Sequence, residues 1–225
     1  MTKIYLSYGG PSIETATFVP PPANEVMTLM GNLEEYMHSP ISTPILIKIG
    51  LIHAQFETIH PFLDGNGRIG RLLITFYLCQ QKTLHKPLLY LSDFFKKHRQ
   101  IYYDRLNNLR TKDDIEGWLA FFLQGIIDTS EQAIETARRI IYLRELGIKK
   151  ISTFGRSTER AMKLYHYLFR FPMIRVKDVE KIVVLTNPAA LALVDKLLHA
   201  GILKELTGFK RNRVFSFADY VALFE

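Results

Sequence analysis

The spacing of apolar residues along the first two thirds of the chain predicts helices almost throughout. Between residues 23 and 38, apolar side chains recur every three or four positions and acidic residues occupy the opposite face, as in an amphipathic helix. Residues 44–59 are apolar at nearly every position, so we expect this second helix to be central. Further helices are predicted at residues 67–81, 92–109, 115–127 and 128–146. The only strands expected in this part are a short pair within residues 5–19.

The last third of the chain has a different pattern. Helices are predicted at residues 157–169, 176–182 and 187–200, with Gly201 ending the third. The segments ILKEL and RVFSF, joined by the turn TGFKRN, then predict a β-hairpin. Three helices followed by a hairpin are typical of a small winged-helix domain.

A winged helix raises the question of DNA binding. The third helix would enter the groove, yet it offers only Asn187, Lys196 and His199 as donors to bases or phosphates. The hairpin loop is better suited to phosphates, since it carries Lys210, Arg211 and Arg213. DNA binding and a packing or dimerising role both stay open, and the sequence favours the second.

The charge distribution divides the chain in the same region. Residues 1–148 hold 15 basic and 15 acidic residues, whereas residues 149–225 hold 14 and 7 and so carry the whole net charge of +7. The change falls in LGIKKISTFGRST, a basic Gly/Ser/Thr stretch that reads as a domain edge. Because 225 residues also exceed the commonest single-domain length, we predict two domains, residues 1–148 and 149–225.

Composition limits the setting in which the protein works. Its one cysteine, Cys79, lies in a predicted helix, so the chain cannot form an internal disulfide or a thiolate metal site. The opening MTKIYLSYGG lacks the build of a signal peptide. No segment approaches the roughly 18 apolar residues of a membrane span. We therefore expect a cytoplasmic protein with no membrane partner.

The segment most informative about chemistry is HPFLDGNGRIGR, at residues 60–71. Two arginines are anion donors, and three glycines let backbone N–H groups approach a ligand closely. The aspartate is an oxygen ligand of the kind that Mg²⁺ accepts, and the histidine can move a proton near neutral pH. Apolar residues follow at once, so the segment should open a buried helix whose N-terminus attracts phosphate. This combination predicts a polyphosphate site with a metal and a base beside it.

Three other kinds of binding site fit the sequence of this region less well. A P-loop is excluded because the segment does not end in GK[ST]. A dinucleotide fingerprint fits poorly because a helix, not a strand, precedes the glycines. A zinc site could be imagined from His53, Glu57 and His60, but Pro61 bends the chain away and no fourth ligand is evident.

The segment resembles the signature of the Fic (Fido) family, HPFx[D/E]GNGRxxR, and every specified position is present. Upstream, GGPSIETATFVPPPANEV resembles the family's flap hairpin. Downstream, YLSDFFKKHRQIYYDRL and DDIEGWLAFFLQGI resemble the closing helices of its core, so the resemblance covers roughly residues 1–145. It implies a mainly α fold: a Fic-type helical bundle with a short β-hairpin flap, followed here by a small winged-helix domain.

The resemblance also implies an activity and the residues that carry it. Such proteins are protein adenylyltransferases, which transfer AMP from ATP to a Tyr, Ser or Thr hydroxyl of a protein. His60 is implied as the general base, Asp64 as the Mg²⁺ ligand and Phe62 as a buried anchor. The residues implied to bind ATP are Gly65, Asn66, Gly67, Arg68, Ile69, Gly70, Arg71 and Tyr102, with Tyr103 as the alternative to Tyr102. Thr15, Ala16, Thr17 and Phe18 would form the flap edge, which covers the nucleotide and pairs with the target by β-addition.

The resemblance also bears on alternative activities and on how the activity is inhibited. A Fic-fold phosphotransferase would alter the glycine-rich stretch, removal of AMP would use a regulatory glutamate, and a nucleotide-sensing winged-helix regulator would have a degenerate motif. Family members are implied to be restrained by an S/T-x-x-x-E helix, but none of the thirteen glutamates has Ser or Thr four residues before it. We therefore expect a fragment, or a chain restrained by a partner, that modifies itself. Homodimer formation stays open.

Overall fold

The computed structural model describes residues 16, 18–40, 42–87, 89–209 and 212–224. The chain forms two compact units, Met1–Ala133 and Ile134–Glu225. It is mainly α-helical, as the apolar spacing predicts, and the described strands form one small sheet in the second unit. The strand pair predicted within residues 5–19 lies almost wholly outside the described residues, although Phe18 takes part in a β-bridge.

The first unit is built around one central helix. Its helices are α1 (Ala23–His38), α2 (Ile45–Ile59), α3 (Asn66–Gln80), α4 (Leu91–Lys97), α5 (Arg99–Lys112) and α6 (Ile115–Ile151), which continues into the second unit. The nearly uniform apolar composition of α2 predicts a central position, and the prediction is confirmed because α2 packs against both α1 and α3 and nine of its fifteen residues are buried.

Aromatic side chains surround a buried histidine at the centre of the first unit. The ring of His53 in α2 stacks on Phe95 at 5.6 Å between centroids and on Trp118 at 6.0 Å. The Trp118 indole N–H donates to the carbonyl oxygen of Gly50 at 3.0 Å. The indole N–H, a polar group inside this apolar core, therefore has a hydrogen-bond partner.

Two predictions about helix ends in this unit are wrong. The helix predicted at 92–109 is interrupted at His98, where φ is −108° and ψ is 34°, and the bend brings both α4 and α5 onto the same apolar core. The two helices predicted at 115–127 and 128–146 are one helix, α6. The polar run that starts at Asp128 suggested a break, but the Gln124 amide donates to the Asp128 carboxylate at 2.6 Å, a pair that a continuous helix favours.

The second unit combines helices with a three-stranded antiparallel sheet. After the last turns of α6 come a 3₁₀ turn (Gly155–Ser157), α7 (Thr158–Leu168), β1 (Met173–Arg175), α8 (Val176–Val183), α9 (Asn187–His199), β2 (Lys204–Glu205), β3 (Val214–Ser216) and α10 (Ala218–Val221). The strand order is β1-β3-β2, with β3 pairing with both neighbours. The predicted three helices and hairpin are present. The sequence missed β1, because three residues are too few to show an alternating pattern.

Two glycines of the second unit are required by their positions, one for close packing and one for its backbone conformation. A Cβ atom at residue 147 would overlap the ring of Tyr165, whose hydroxyl donates to the carbonyl oxygen of Leu143 at 2.8 Å. Gly147 therefore lets α7 approach α6 closely. Gly201 has φ of 66° and ends α9 in the left-handed conformation that the sequence predicts for a helix stop.

The division of the chain does not coincide with the change in charge. The compact units separate between Ala133 and Ile134, inside α6, whereas the charge changes near residue 149. No single described helix is both long and apolar enough to cross a membrane. The helices α8 and α9 pass such a test of length and composition only as a pair, and the chain bends by 105° between them.

Candidate active site

The histidine of the motif stands at a sharp turn that ends α2. His60 has φ of 50° and ψ of 57°, in the left-handed region, and its N–H donates to the carbonyl oxygen of Phe56 at 3.0 Å. Pro61 follows and has no N–H, so it cannot continue the helical hydrogen bonds. The carbonyl oxygen of Glu57, four residues before the proline, is therefore left available to other donors.

Asn66 closes the loop between the turn and the next helix. Its Oδ1 accepts from the N–H of Phe62 at 2.9 Å, and its Nδ2 donates to the carbonyl oxygen of Phe62 at 2.6 Å. The Asn66 residue is only 2% exposed. Its side chain thus shapes the loop, and the phosphate contact that the resemblance implies for Asn66 stays a prediction.

The glycine-rich turn places the N-terminus of α3 beside this loop. Gly65 has φ of 86°, a conformation that glycine adopts without strain, and α3 begins at the next residue. The Asp64 carboxylate accepts from the N–H of Gly65 at 2.7 Å. The first N–H groups of a helix have no partner inside it and carry partial positive charge, so the start of α3 suits an anion.

These elements line one cavity of 920 Å³, which is large enough for a nucleotide. Its wall is formed by Phe18, Glu57, His60, Leu63, Asp64, Gly65, Asn66, Gly67, Arg68, Arg71, Arg99, Gln100, Tyr102, Tyr103, Asp104, Leu106, Asn107 and Arg110. Four of these are arginines and three are carboxylates. The charge of the wall therefore favours an anionic ligand.

Most of the motif residues predicted for the site lie in this wall, but some do not. Ile69 and Gly70 lie outside the lining set, and so does Ala16 of the flap edge. Thr15 and Thr17 lie outside the described residues. A Cβ atom at Gly70 would lie 2.5 Å from Glu57 Oε1, so this glycine lets α3 pack closely on α2 rather than letting a ligand approach.

Two aromatic residues of the site differ from expectation. Tyr102 lines the cavity but is 5% exposed, and its hydroxyl lies 3.0 Å from His53 Nε2 inside the core. Tyr103, the alternative, is half-buried, with the guanidinium of Arg99 over its ring at 5.7 Å. Phe62, expected as a buried anchor, is 45% exposed. The loop closed by Asn66 holds the backbone of Phe62 and does not bury its ring.

Sequence reasoning missed the wall that α5 contributes. Arg99, Gln100, Asp104, Asn107 and Arg110 all line the cavity. From Gln100 onward they are spaced by three or four residues and so share one face of the helix, with Arg99 at its edge. This polar periodicity was visible in the sequence, but only the position of α5 in the fold shows that the face turns toward the motif.

The environment of His60 keeps its imidazole neutral. Burial lowers the pKa of His60 below its usual value of 6.5, a hydrogen bond to the backbone of Glu57 acts in the opposite direction, and the positive charge of Arg110 lowers the pKa further. A ring nitrogen that donates to a carbonyl leaves the other nitrogen to accept a proton. The group at this position is therefore suited to act as a base near pH 7.

Beneath the cavity, Glu57 and His53 are buried on neighbouring turns of α2. Glu57 is 7% exposed, and its Oε1 has no hydrogen-bond partner among the described residues. Burial raises the pKa of Glu57 to about 7, although Arg71 and Arg110 act to lower it. Burial also lowers the pKa of His53 to about 3, so this ring is neutral in the folded protein.

We expect Glu57 to make stability fall as the pH rises. Its pKa is about 7 in the folded protein and 4.5 for an unperturbed carboxyl, so its favourable contribution is complete below pH 4.5 and is lost as the pH rises through 7. Relative to wild type, Glu57→Gln should gain on the order of 3 kcal/mol in unfolding free energy between pH 4.5 and 8. Taking this difference cancels the opposite slope of His53. Urea unfolding at several pH values measures it, with the exposed Glu34→Gln as control, and a difference that did not change with pH would contradict the assignment.

The site fits Mg²⁺ better than zinc. Among the residues that the structure describes, no three or more His, Cys, Asp or Glu side chains are grouped to hold a metal. The zinc alternative through His53 and Glu57 therefore has no ligand set. The Asp64 side chain is 94% exposed, with Oδ2 only 3.5 Å from the Arg68 guanidinium. Mg²⁺ commonly takes one carboxylate together with substrate phosphates, and Asp64 is placed to supply that carboxylate.

Comparison with known proteins agrees with this geometry. A model of the Fic/DOC family matches residues 4–78, which include the whole dodecamer and the helix behind it. This stretch, a third of the chain, is similar to the Fic/DOC family. A Fic family protein from Desulfovibrio desulfuricans G20 has a similar fold, with a TM-score of 0.51 and 20% sequence identity over 93% of this chain and 59% of that one.

Curated proteins are similar to this chain over limited stretches. A probable protein adenylyltransferase of Aquifex aeolicus is 36% identical over 70 residues, which are 31% of this chain. The protein adenylyltransferase Fic of Aedes aegypti is 30% identical over 124 residues, or 52% of this chain. In each case the match spans only 22% of the relative's own length. A Fido domain-containing protein of Dictyostelium discoideum is 40% identical over 53 residues, 24% of this chain and 36% of that protein.

Proposed function

We propose that this chain is a protein adenylyltransferase of the Fic type, which transfers AMP from ATP to a hydroxyl side chain of a protein. The observation that carries the proposal is the pairing, in one cavity, of a neutral imidazole at His60 with the N-terminus of α3 and its flanking arginines. The names of the relatives in Aquifex aeolicus and Aedes aegypti point to the same reaction.

The proposed reaction is a displacement at the α-phosphorus of ATP. The oxygen of a Tyr, Ser or Thr hydroxyl forms a bond to this phosphorus, and the bond from it to the bridging oxygen of pyrophosphate breaks. The hydroxyl proton passes to the free ring nitrogen of His60, and pyrophosphate leaves with the electron pair of the broken bond. The neutral imidazole makes the attacking oxygen more nucleophilic as the bond forms.

Several residues of the wall would hold the nucleotide. The N–H groups at Gly67 and the start of α3 would bind phosphate oxygens on which charge grows during transfer, and the Gly65 N–H would join them on leaving the Asp64 carboxylate. Arg68 and Arg71 would grip the β- and γ-phosphates. Tyr103 is the more accessible of the two candidate tyrosines for contact with the nucleoside. Asp64 would hold Mg²⁺, which neutralises phosphate charge when bound.

The protein substrate would dock at the flap edge. Phe18 lines the cavity and takes part in a β-bridge, so this residue lies where an extended chain could pair with the flap edge. A target segment bound there would carry its hydroxyl toward His60. The chain itself is a candidate substrate, and the single cysteine fits action in a reducing cytoplasm.

Position-specific labelling of ATP tests the reaction. The purified chain is incubated with Mg²⁺ and ATP carrying the label either on the α- or on the γ-phosphate, and label bound to protein is measured. Adenylylation predicts incorporation from α-labelled ATP only. Incorporation from γ-labelled ATP would instead indicate a phosphotransferase, and the absence of both, with candidate protein substrates added, would contradict the proposal.

We expect Arg71 and Asp64 to affect nucleotide binding in different ways. Arg71→Ala should weaken ATP binding by roughly 1.5–3 kcal/mol, as for a lost charged hydrogen bond. Asp64→Ala should instead remove most of the dependence of ATP binding on Mg²⁺. Calorimetric titration of each variant with and without Mg²⁺ measures both effects. Equal losses in the two variants under both conditions would contradict the separate roles.

We propose that the second unit is a winged-helix domain with a packing or dimerising role rather than a DNA-binding one. Three side chains proposed as DNA donors already have internal partners. Lys196 donates to Ser157 Oγ at 3.0 Å, Asn187 donates to Glu180 Oε1 at 2.5 Å, and His199 Nδ1 lies 2.7 Å from the carbonyl oxygen of Asp195. In the hairpin, Arg213 is paired with Glu205, whereas Lys210 and Arg211 lie outside the described residues.

A further inference from the structure

The side chain of Arg110 contacts three parts of the site at once. Its Nη2 donates to the carbonyl oxygen of Glu57 at 3.2 Å, and its Nε donates to Thr58 Oγ1 at 3.0 Å. Its guanidinium also lies 3.7 Å from the centre of the Phe18 ring. Arg110 comes from the end of α5, more than fifty residues after the helix whose end it holds.

The carbonyl that Arg110 holds is the one made available by Pro61. In an uninterrupted helix, the carbonyl of Glu57 would accept from the N–H of residue 61, but proline has none. That oxygen instead accepts from Arg110 and from the His60 ring. Since a carbonyl oxygen has two lone pairs, both donors can be accommodated. The orientation of the imidazole thus depends on a backbone atom that Arg110 fixes.

The contact with Phe18 links the same guanidinium to the flap edge. An arginine over an aromatic face is held by the ring's negative potential and by stacking, and a lysine reproduces the stacking poorly. Phe18 also approaches His60 edge-on, with 6.4 Å between ring centroids. The flap edge, the base and the end of α2 therefore meet around one side chain.

We propose that Arg110 is a positioning residue, which sets the orientation of the His60 imidazole and the place of the flap edge at Phe18 through one planar guanidinium. The inference rests on the proposed adenylyl transfer for its kinetic readout. It assigns Arg110 no contact with the phosphates. Loss of the guanidinium should therefore slow transfer, raise the KM for a protein acceptor and leave ATP affinity nearly unchanged.

Two substitutions separate the geometry of Arg110 from its charge. Arg110→Lys keeps a positive charge beside His60 but loses the bidentate fork and the stacking. Arg110→Gln loses the charge as well. We expect both variants to lower kcat by about 10²-fold, the scale of a misplaced catalytic group, with ATP affinity within about threefold of wild type. Arg105→Gln is the matched control, because Arg105 lies on the same helix and pairs with Asp114 away from the cavity.

A titration of His60 by NMR gives a readout that needs no activity. The pKa of His60 should rise in Arg110→Gln, because the charge that lowers it is gone, and should stay low in Arg110→Lys. The other ionisable groups of the cavity are the same in both variants: Glu57, Asp64, Arg68, Arg71, Arg99, Tyr102, Tyr103 and Asp104. The His60 resonance is assigned by its absence from His60→Ala.

The outcomes distinguish this inference from the proposed function. A wild-type rate in Arg110→Lys would overturn the positioning role, and so would a loss of ATP affinity of about tenfold or more at unchanged kcat, which would make Arg110 a phosphate ligand. If the wild-type chain transferred no AMP, the proposed function would fail. An unchanged His60 pKa in Arg110→Gln would then still count against the role of Arg110.

Discussion

Replacing His60 by alanine should abolish AMP transfer while leaving ATP·Mg²⁺ binding within a few-fold of wild type. The imidazole acts on the acceptor hydroxyl rather than on the phosphates, and loss of a general base typically costs about 10²–10⁴ in rate. In the wild type, activity should persist well into mildly acidic conditions, because burial lowers the pKa of His60 and keeps the ring neutral there. Incorporation of AMP from α-labelled ATP and calorimetric titration of ATP measure the two quantities.

A second variant at residue 60 is needed because of the backbone conformation of His60. His60 is left-handed, and alanine tolerates that region poorly, whereas asparagine visits it readily. His60→Asn should therefore fold like wild type and keep a hydrogen-bonding side chain, yet it cannot accept the proton. A rate close to wild type in either variant would show that His60 is not the base.

The sequence predicts the motif half of this site well, because that half is contiguous. Gly65, Gly67, Arg68 and Arg71 lie within a few residues of His60, so local backbone geometry brings them together without help from the rest of the fold. The same locality explains why α1, α2, α3 and α9 lie within about a residue of their predicted positions. Their apolar residues and the prolines or glycines beside their ends are local signals.

The other half of the site depends on tertiary packing. Arg110 and Asn107 reach the cavity only because α5 packs beside the end of α2, and no short-range pattern reports that contact. The position of Glu57 is a second feature that local sequence does not predict. Its spacing from His53 suggested metal ligands, whereas the structure buries both side chains beneath α3, where Gly70 leaves room for them.

The second large effect concerns the stability of the first unit. Trp118→Ala should lower its unfolding free energy by about 3–5 kcal/mol, since a fully buried large aromatic side chain leaves a cavity that the core refills only in part. The indole N–H bond to Gly50 and the stacking on His53 are lost with it. Urea unfolding followed by circular dichroism measures the change.

A second variant separates the loss of the indole hydrogen bond from the loss of the aromatic ring. Trp118→Phe keeps most of the ring but leaves the Gly50 carbonyl without its donor, so its cost should be nearer about 1–3 kcal/mol. Trp118 is the only tryptophan of the chain, so wild-type fluorescence reports on the first unit alone. If both variants unfolded at the wild-type midpoint, the aromatic cluster around His53 would not be the core that holds the unit together.

The loop closed by Asn66 also bears on the chemical lifetime of the protein. An asparagine followed by glycine deamidates readily in a flexible chain, because the glycine nitrogen attacks the side-chain amide and forms a succinimide. Here the amide of Asn66 is almost fully buried, held at both ends by the backbone of Phe62, and followed by the first turn of a helix. Deamidation then requires local opening of the loop. The rate of damage at Asn66 on storage should therefore depend on how often this loop opens, rather than on the intrinsic reactivity of an Asn-Gly pair.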